Sequence, residues 1–179
     1  MVTALAAAGA VAVLSGCGWS EDREAAQVAS QEAQLKVLMS TADGRGAEIM
    51  GQIPASEVGT TVDTSSIELT SDFYEEWPKY YVWSQTVELH LDGPRTPAQV
   101  ADDLEPWLAR HGWTRDTGHE FPPRTRSFTR YYRWDGYLLA VEAFTDPPPR
   151  AQAVRFAIVT PDTDPDAPSP APTTGSGES

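Results

Sequence analysis

A single cysteine, Cys17, stands among 179 residues, which excludes an intrachain disulfide and any cysteine-based zinc cluster. Basic residues are also scarce. With 13 Lys and Arg against 26 Asp and Glu, the net charge is −13, a surface that cannot displace counterions from phosphates as a general nucleic-acid binder must. The usual catalytic signatures are missing: there is no Gly-x-Ser-x-Gly elbow, no His-Glu-x-x-His helix, no Walker loop and no Gly-x-Gly-x-x-Gly turn. No apolar run reaches the roughly 20 residues that a membrane-spanning helix needs. What remains is still rich enough to fold. A hydrophobic content of 40% is too high for a wholly disordered chain, and the length suits one modest domain.

The N-terminus is the most informative stretch. Residues Val2–Leu14 are almost all small or apolar, the size of the apolar region of a secretory signal, and they run into Leu14-Ser15-Gly16-Cys17. Those four residues resemble the lipobox of bacterial lipoprotein signal peptides. The resemblance implies a diacylglyceryl group on the Cys17 thiol and cleavage between Gly16 and Cys17. The mature chain, Cys17–Ser179, would then sit on the outer face of the cytoplasmic membrane. Two acyl chains suffice for a stable anchor, since each buried CH₂ contributes about 0.8 kcal/mol. No Lys or Arg precedes Cys17, and the expected reason is a start codon further upstream.

Patterning divides the chain into a signal peptide at 1–16, a lipid anchor and helical stalk at 17–45, a domain at 46–160, and a disordered Pro/Ser/Thr/Asp tail at 161–179. Ser20–Ser40 reads as a capped, Ala-rich helix, and a second short helix is expected at Ala47–Gln52, after Asp43-Gly44. Ser66–Leu69 is a candidate strand. Apolar and polar residues alternate from Tyr81 to Leu91, which predicts a half-buried strand. Thr96-Pro97-Ala98-Gln99 is a capping box opening a helix that carries Val100, Leu104, Trp107 and Leu108 on one stripe and stops at His111-Gly112. Pro106 should kink or shorten that helix. Asp135-Gly136 predicts a two-residue hairpin turn pairing Trp134 with Tyr137, Tyr132 with Leu139, Arg130 with Val141 and Phe128 with Ala143. A last strand covers Ala153–Thr160, with Val154, Phe156 and Ile158 inward. The expected fold class is α+β: a small antiparallel sheet of four to five strands packed by one or two helices.

The lipobox, Ile49-Met50-Gly51-Gln52-Ile53-Pro54, the Trp83–Leu91 strand and His111-Gly112-Trp113 together resemble uncharacterised small lipoproteins of high-GC Gram-positive bacteria (actinobacteria). Eleven Arg to two Lys suit such a genome. The resemblance implies a location and no activity.

Candidate chemistry is sparse. His90, His111 and His119 have ordinary explanations in a strand, at a helix end and in a loop. Asp162-x-Asp164-x-Asp166 opens like a calcium loop, but Ala167 and Thr173 stand where that loop needs Gly and Glu. Asp102 and Asp103 point about 100° apart on a helix and do not converge. No catalytic residue, metal site or cofactor is expected. The aromatic runs Tyr80-Tyr81-Val82-Trp83 and Tyr131-Tyr132-Arg133-Trp134 place rings on both faces of their strands. One face must be core, so Tyr80, Tyr131 and Arg133 form a candidate binding surface for an envelope protein, a peptide or a glycan. The function expected is that of a non-enzymatic binding domain. The alternatives are a structural envelope component without ligand and a hydrolase of cell-wall polymers.

Overall fold

A computed structural model of the protein describes residues 18–70, 76–120, 126–147, 149–150 and 152–167. The expected signal segment 1–16, Cys17 and residues 168–179 of the expected tail lie outside them.

A 33-residue helix, α1 (Gly18–Met50), comes first. The break expected after Asp43-Gly44 does not occur. Each interior glycine costs a helix about 1 kcal/mol, but Gly46 is needed here: a Cβ on it would lie 2.2 Å from the Trp83 indole, which packs directly on the helix backbone. Leu35, Ala42 and Ile49 form the buried stripe, so the second half of α1 is part of the domain, including residues that the sequence allots to a stalk. Its first turns, from Asp22 to Gln27, are exposed. Among the described residues no helix is long and apolar enough to cross a membrane.

The sheet has seven strands rather than four or five: β1 (Val58–Asp63), β2 (Ser66–Leu69), β3 (Lys79–Leu89), β4 (Thr114–Arg115), β5 (Ser127–Trp134), β6 (Tyr137–Phe144) and β7 (Gln152–Val159). The spatial order is β1-β3-β7-β6-β5-β4, with β2 also on β3, and all pairs are antiparallel. Asp63 opposes Gln85 and Ser66 opposes Val82, so β1 and β2 keep one register along β3 and form a single edge strand interrupted at Thr64-Ser65. The interruption is held by side chains: the Ser84 N–H donates to Ser65 Oγ at 3.0 Å, and the Thr64 hydroxyl donates to Ser84 Oγ at 3.0 Å.

The hairpin forms in the register that Asp135-Gly136 predicts, with all four expected pairs present. Both turn residues have positive φ, 47° and 81°, as a type I′ turn requires. The strand from Tyr81 ends at Leu89; Leu91 lies beyond it and is exposed, because the chain turns there and the Gly93 N–H bonds the His90 carbonyl.

The second helix, α2 (Pro97–Arg110), opens with the expected capping box and runs through Pro106 without stopping. The Arg130 guanidinium supports this stretch, donating to the Ala101 carbonyl at 3.0 Å and to the Asp102 carboxylate. Gly112 ends the helix at φ +86°.

Both helices cover the same face. Helix α1 packs on β3 and β7, and α2 on β6 and β7. Between them and the sheet lie Tyr81, Trp83, Val87, Tyr132, Leu139, Val141, Val154, Phe156 and Ile158, all buried. Among the described residues no helix covers the opposite face.

The tail is ordered where it leaves the sheet, against the expectation for Pro161 onward. Thr163 is 2% exposed. Its N–H donates to the Lys79 carbonyl, its Oγ1 accepts from the Lys79 N–H, and its hydroxyl donates to Gln31 Oε1 at 3.1 Å. One turn along α1, the Gln34 amide brackets Asp164, accepting from its N–H at 3.0 Å and donating to its carbonyl at 2.9 Å. The segment is a strap joining β3 to α1. Hydrogen bonds, not apolar burial, hold it.

Candidate functional site at the open sheet face

Register places Tyr80, Tyr131 and Arg133 on the helix-free face, as the alternation of their strands predicts. They do not form one patch. Tyr80 is on β3 and the other two on β5, three strands away, about 14 Å at the usual strand spacing. Tyr80 is half-buried, with Glu68 opposite it on β2.

Tyr131 and Arg133 are joined instead by a loop. After β4, a short 3₁₀ turn (Thr117–His119) folds back against β5, pinned by the Asp116 N–H donating to the Tyr131 carbonyl at 2.7 Å. The fold-back puts the His119 ring edge-on to Tyr131, with centroids 6.4 Å apart. It also brings the Asp116 carboxylate to two partners, His119 Nδ1 at 2.9 Å and Arg133 Nε at 2.5 Å. In the neutral imidazole this contact puts the proton on Nδ1 and makes Nε2 the acceptor nitrogen. Arg133 uses only Nε among the described residues, and its side chain is about half exposed.

A cavity of about 300 Å³ opens here, lined by Gly118, His119, Glu120, Tyr131 and Leu138. Tyr131 is itself half-buried, with the small Ala140 directly across from it on β6. Glu120 is fixed by Arg115, which donates from Nε at 2.8 Å and from Nη2 at 3.0 Å. Arg115 also pairs with Glu105, and Glu105 with Arg130, so the wall of the cavity continues into an ion-pair network that ends on α2.

The electrostatics are consistent with that geometry. The hydrogen bond from His119, and then that from Arg133, hold the Asp116 carboxyl below its ordinary value. Arg115 does the same for Glu120. Both groups stay ionised at neutral pH.

No family model, curated protein or solved structure matches this chain. The site has to be judged on its own chemistry.

Strand alternation points to Tyr80, Tyr131 and Arg133; it does not reach Asp116, and it gives His119 only as a loop histidine. The one available signal was the spacing Asp116-x-x-His119 beside Gly118, which carries meaning only once the turn is known to fold onto β5. His111 has the ordinary role expected of it: its ring stacks on Trp107 at 3.9 Å and its Nδ1 lies 2.7 Å from the Trp107 carbonyl. The aspartates of the calcium-like spacing serve the strap, with Asp162 accepting from the Thr70 hydroxyl at 2.6 Å. Among the described residues no group of three or more His, Cys, Asp or Glu is placed to hold a metal ion. A second and larger groove, about 640 Å³, lies between the exposed start of α1 and the Trp77–Pro78 loop, with Glu24 and Glu76 on its walls.

Proposed function

We propose that the protein is a lipid-anchored extracytoplasmic domain, held by Cys17 on the outer face of the cytoplasmic membrane, that binds an envelope partner through its helix-free sheet face. The observation that carries the binding half is the one-sided packing: both helices cover one face, and the other presents Tyr131 beside the free end of Arg133 and an open cavity. Aromatic rings and arginines next to a cavity are what binding hot spots are made of. Location rests on the lipobox resemblance.

The carboxylates favour binding over hydrolysis. A wall-polymer hydrolase needs one carboxyl group with a raised pKa to protonate the leaving oxygen. At this cavity Asp116 and Glu120 are both lowered and both committed to cationic partners.

The two halves are tested separately. Intact mass of the membrane-extracted protein should equal Cys17–Ser179 plus a diacylglyceryl group, and Cys17→Ser should move the protein out of the membrane fraction. An unmodified full-length mass sinks the anchor. A photo-crosslinker placed at Tyr131 should form adducts in intact envelopes that the same group at Val37, exposed on the far side of α1, does not. Equal labelling from the two positions would remove the open face from consideration.

A further inference from the structure

We propose that the corner built by Tyr131, Arg133 and His119 binds a sugar ring carrying a carboxylate, with the ring on Tyr131 and the carboxylate on the free nitrogens of Arg133. The inference rests on the binding reading above and narrows its partner to an acidic saccharide, whether free or part of a polymer.

Four observations point to this ligand. The cavity, about 300 Å³, is at the small end of ligand pockets, the size for one ring rather than a folded partner. Tyr131 is one of its lining residues, and an aromatic ring is a surface on which the C–H side of a pyranose can lie. Its lining is mostly apolar, with His119 and Glu120 as the polar side chains, and Nε2 of a neutral His119 is available to accept from a hydroxyl. Arg133 is two residues from Tyr131 on the same strand face, about 6.8 Å along the chain. A group reaching it from the tyrosine must project from the ring edge, as a carboxylate on a sugar does. The two terminal guanidinium nitrogens match the two oxygens of that group.

Charge selects the location. Residues 18–94 carry 4 basic and 14 acidic side chains and the tail from 161 carries 4 acidic ones, while residues 95–160 carry 9 basic and 8 acidic. An anion is repelled by most of this molecule and accepted by the part that holds β4 and β5. The larger groove has Glu24 and Glu76 among its described lining residues, whereas Glu120, the one carboxylate lining the smaller cavity, is paired with Arg115.

The test uses the full-length chain labelled with ¹⁵N and four probes: a tetrasaccharide of alternating glucuronic acid and N-acetylglucosamine, glucuronic acid itself, tetra-N-acetylglucosamine, and a tetra-aspartate peptide. The acidic tetrasaccharide should shift the amides of residues 116–120, 131–133 and 138, and bind at least 10-fold more tightly than the neutral one. Glucuronic acid should shift the same amides more weakly if the natural source is a polymer, and equally if it is a free sugar. Arg133→Gln should reduce the acidic tetrasaccharide to the level of the neutral one. Tyr131→Ala should weaken both saccharides at least 10-fold, and Tyr131→Phe should keep both. Equal affinity for acidic and neutral saccharides, binding of the peptide alone, shifts confined to Glu24 and Trp77, or no shift at all would each overturn the proposal. Adducts from position 131 without any saccharide response would discard the sugar and leave the open face as a binding surface.

Discussion

Two glycines one turn fragment apart in α1 have opposite reasons for being there. Nothing lies within 4 Å of a Cβ built on Gly44, whereas one on Gly46 would meet three atoms of the Trp83 ring at 2.2–2.5 Å. Gly44→Ala should therefore stabilise the protein by about 0.5–1 kcal/mol, the ordinary helix gain. Gly46→Ala should destabilise it by about 1–3 kcal/mol despite the same gain, because the indole must leave its place in the core. Urea denaturation of the two variants would separate them, and equal midpoints would contradict the close packing of Trp83. Thr163 makes a comparable case outside the core. Thr163→Val keeps the shape and removes the hydroxyl, leaving the Lys79 N–H and Gln31 Oε1 short of a partner in a site closed to water. The expected cost is about 1–3 kcal/mol, read as a drop in melting temperature.

At the scale of elements, legibility followed contrast. The hairpin was readable because its strands alternate sharply and Asp135-Gly136 allows only one turn geometry, so register and burial pointed to the same pairing. Helix α2 was readable from its cap, which two reciprocal hydrogen bonds complete. Strand β1 was not, and its burial explains why: only Val58 is even half-buried, and a strand with both faces in water has nothing to alternate between. The continuity of α1 was hidden because helix propensity penalises Gly44 and Gly46, and the compensating contact comes from Trp83, distant in sequence. The candidate site was half legible for the same kind of reason. Strand alternation reveals Tyr131 and Arg133, but the Asp116–His119 turn acquires its role only by folding back on them. The strap was invisible to composition, since its single buried residue is a threonine among Pro and Asp. A chain ending at Thr160 should accordingly melt several degrees below one ending at Ala167, which keeps every bond described for the strap. Coincident melting curves would mean that the strap contributes nothing to stability.

For the whole molecule, stability should form a plateau bounded by two kinds of group. Asp116 and Glu120 titrate below their ordinary values of 3.8 and 4.5 because of their cationic partners. Their contribution is complete above about pH 4.5 and is lost as pH falls through their lowered folded values. Burial raises Tyr81, Tyr132 and Tyr137 above the ordinary 10.0, so their neutral forms stabilise the fold below pH 10 and that contribution is lost as pH rises through the folded values. Thermal melts from pH 2.5 to 11, with tyrosine absorbance followed on the alkaline side, should show both limbs, and a tyrosinate signal complete by pH 10 would contradict the burial of these rings. One more property belongs to this scale. Among the described residues the β1–β2 edge is the long unpaired margin of the sheet, and it carries half-exposed Val62, Ile67 and Leu69. A margin of that kind invites the addition of further chains, one beside another, without end. The hitch at Thr64-Ser65 limits any such ladder to a few rungs on either side. On a membrane, where anchored copies would meet side by side, those two residues would keep identical neighbours from polymerising.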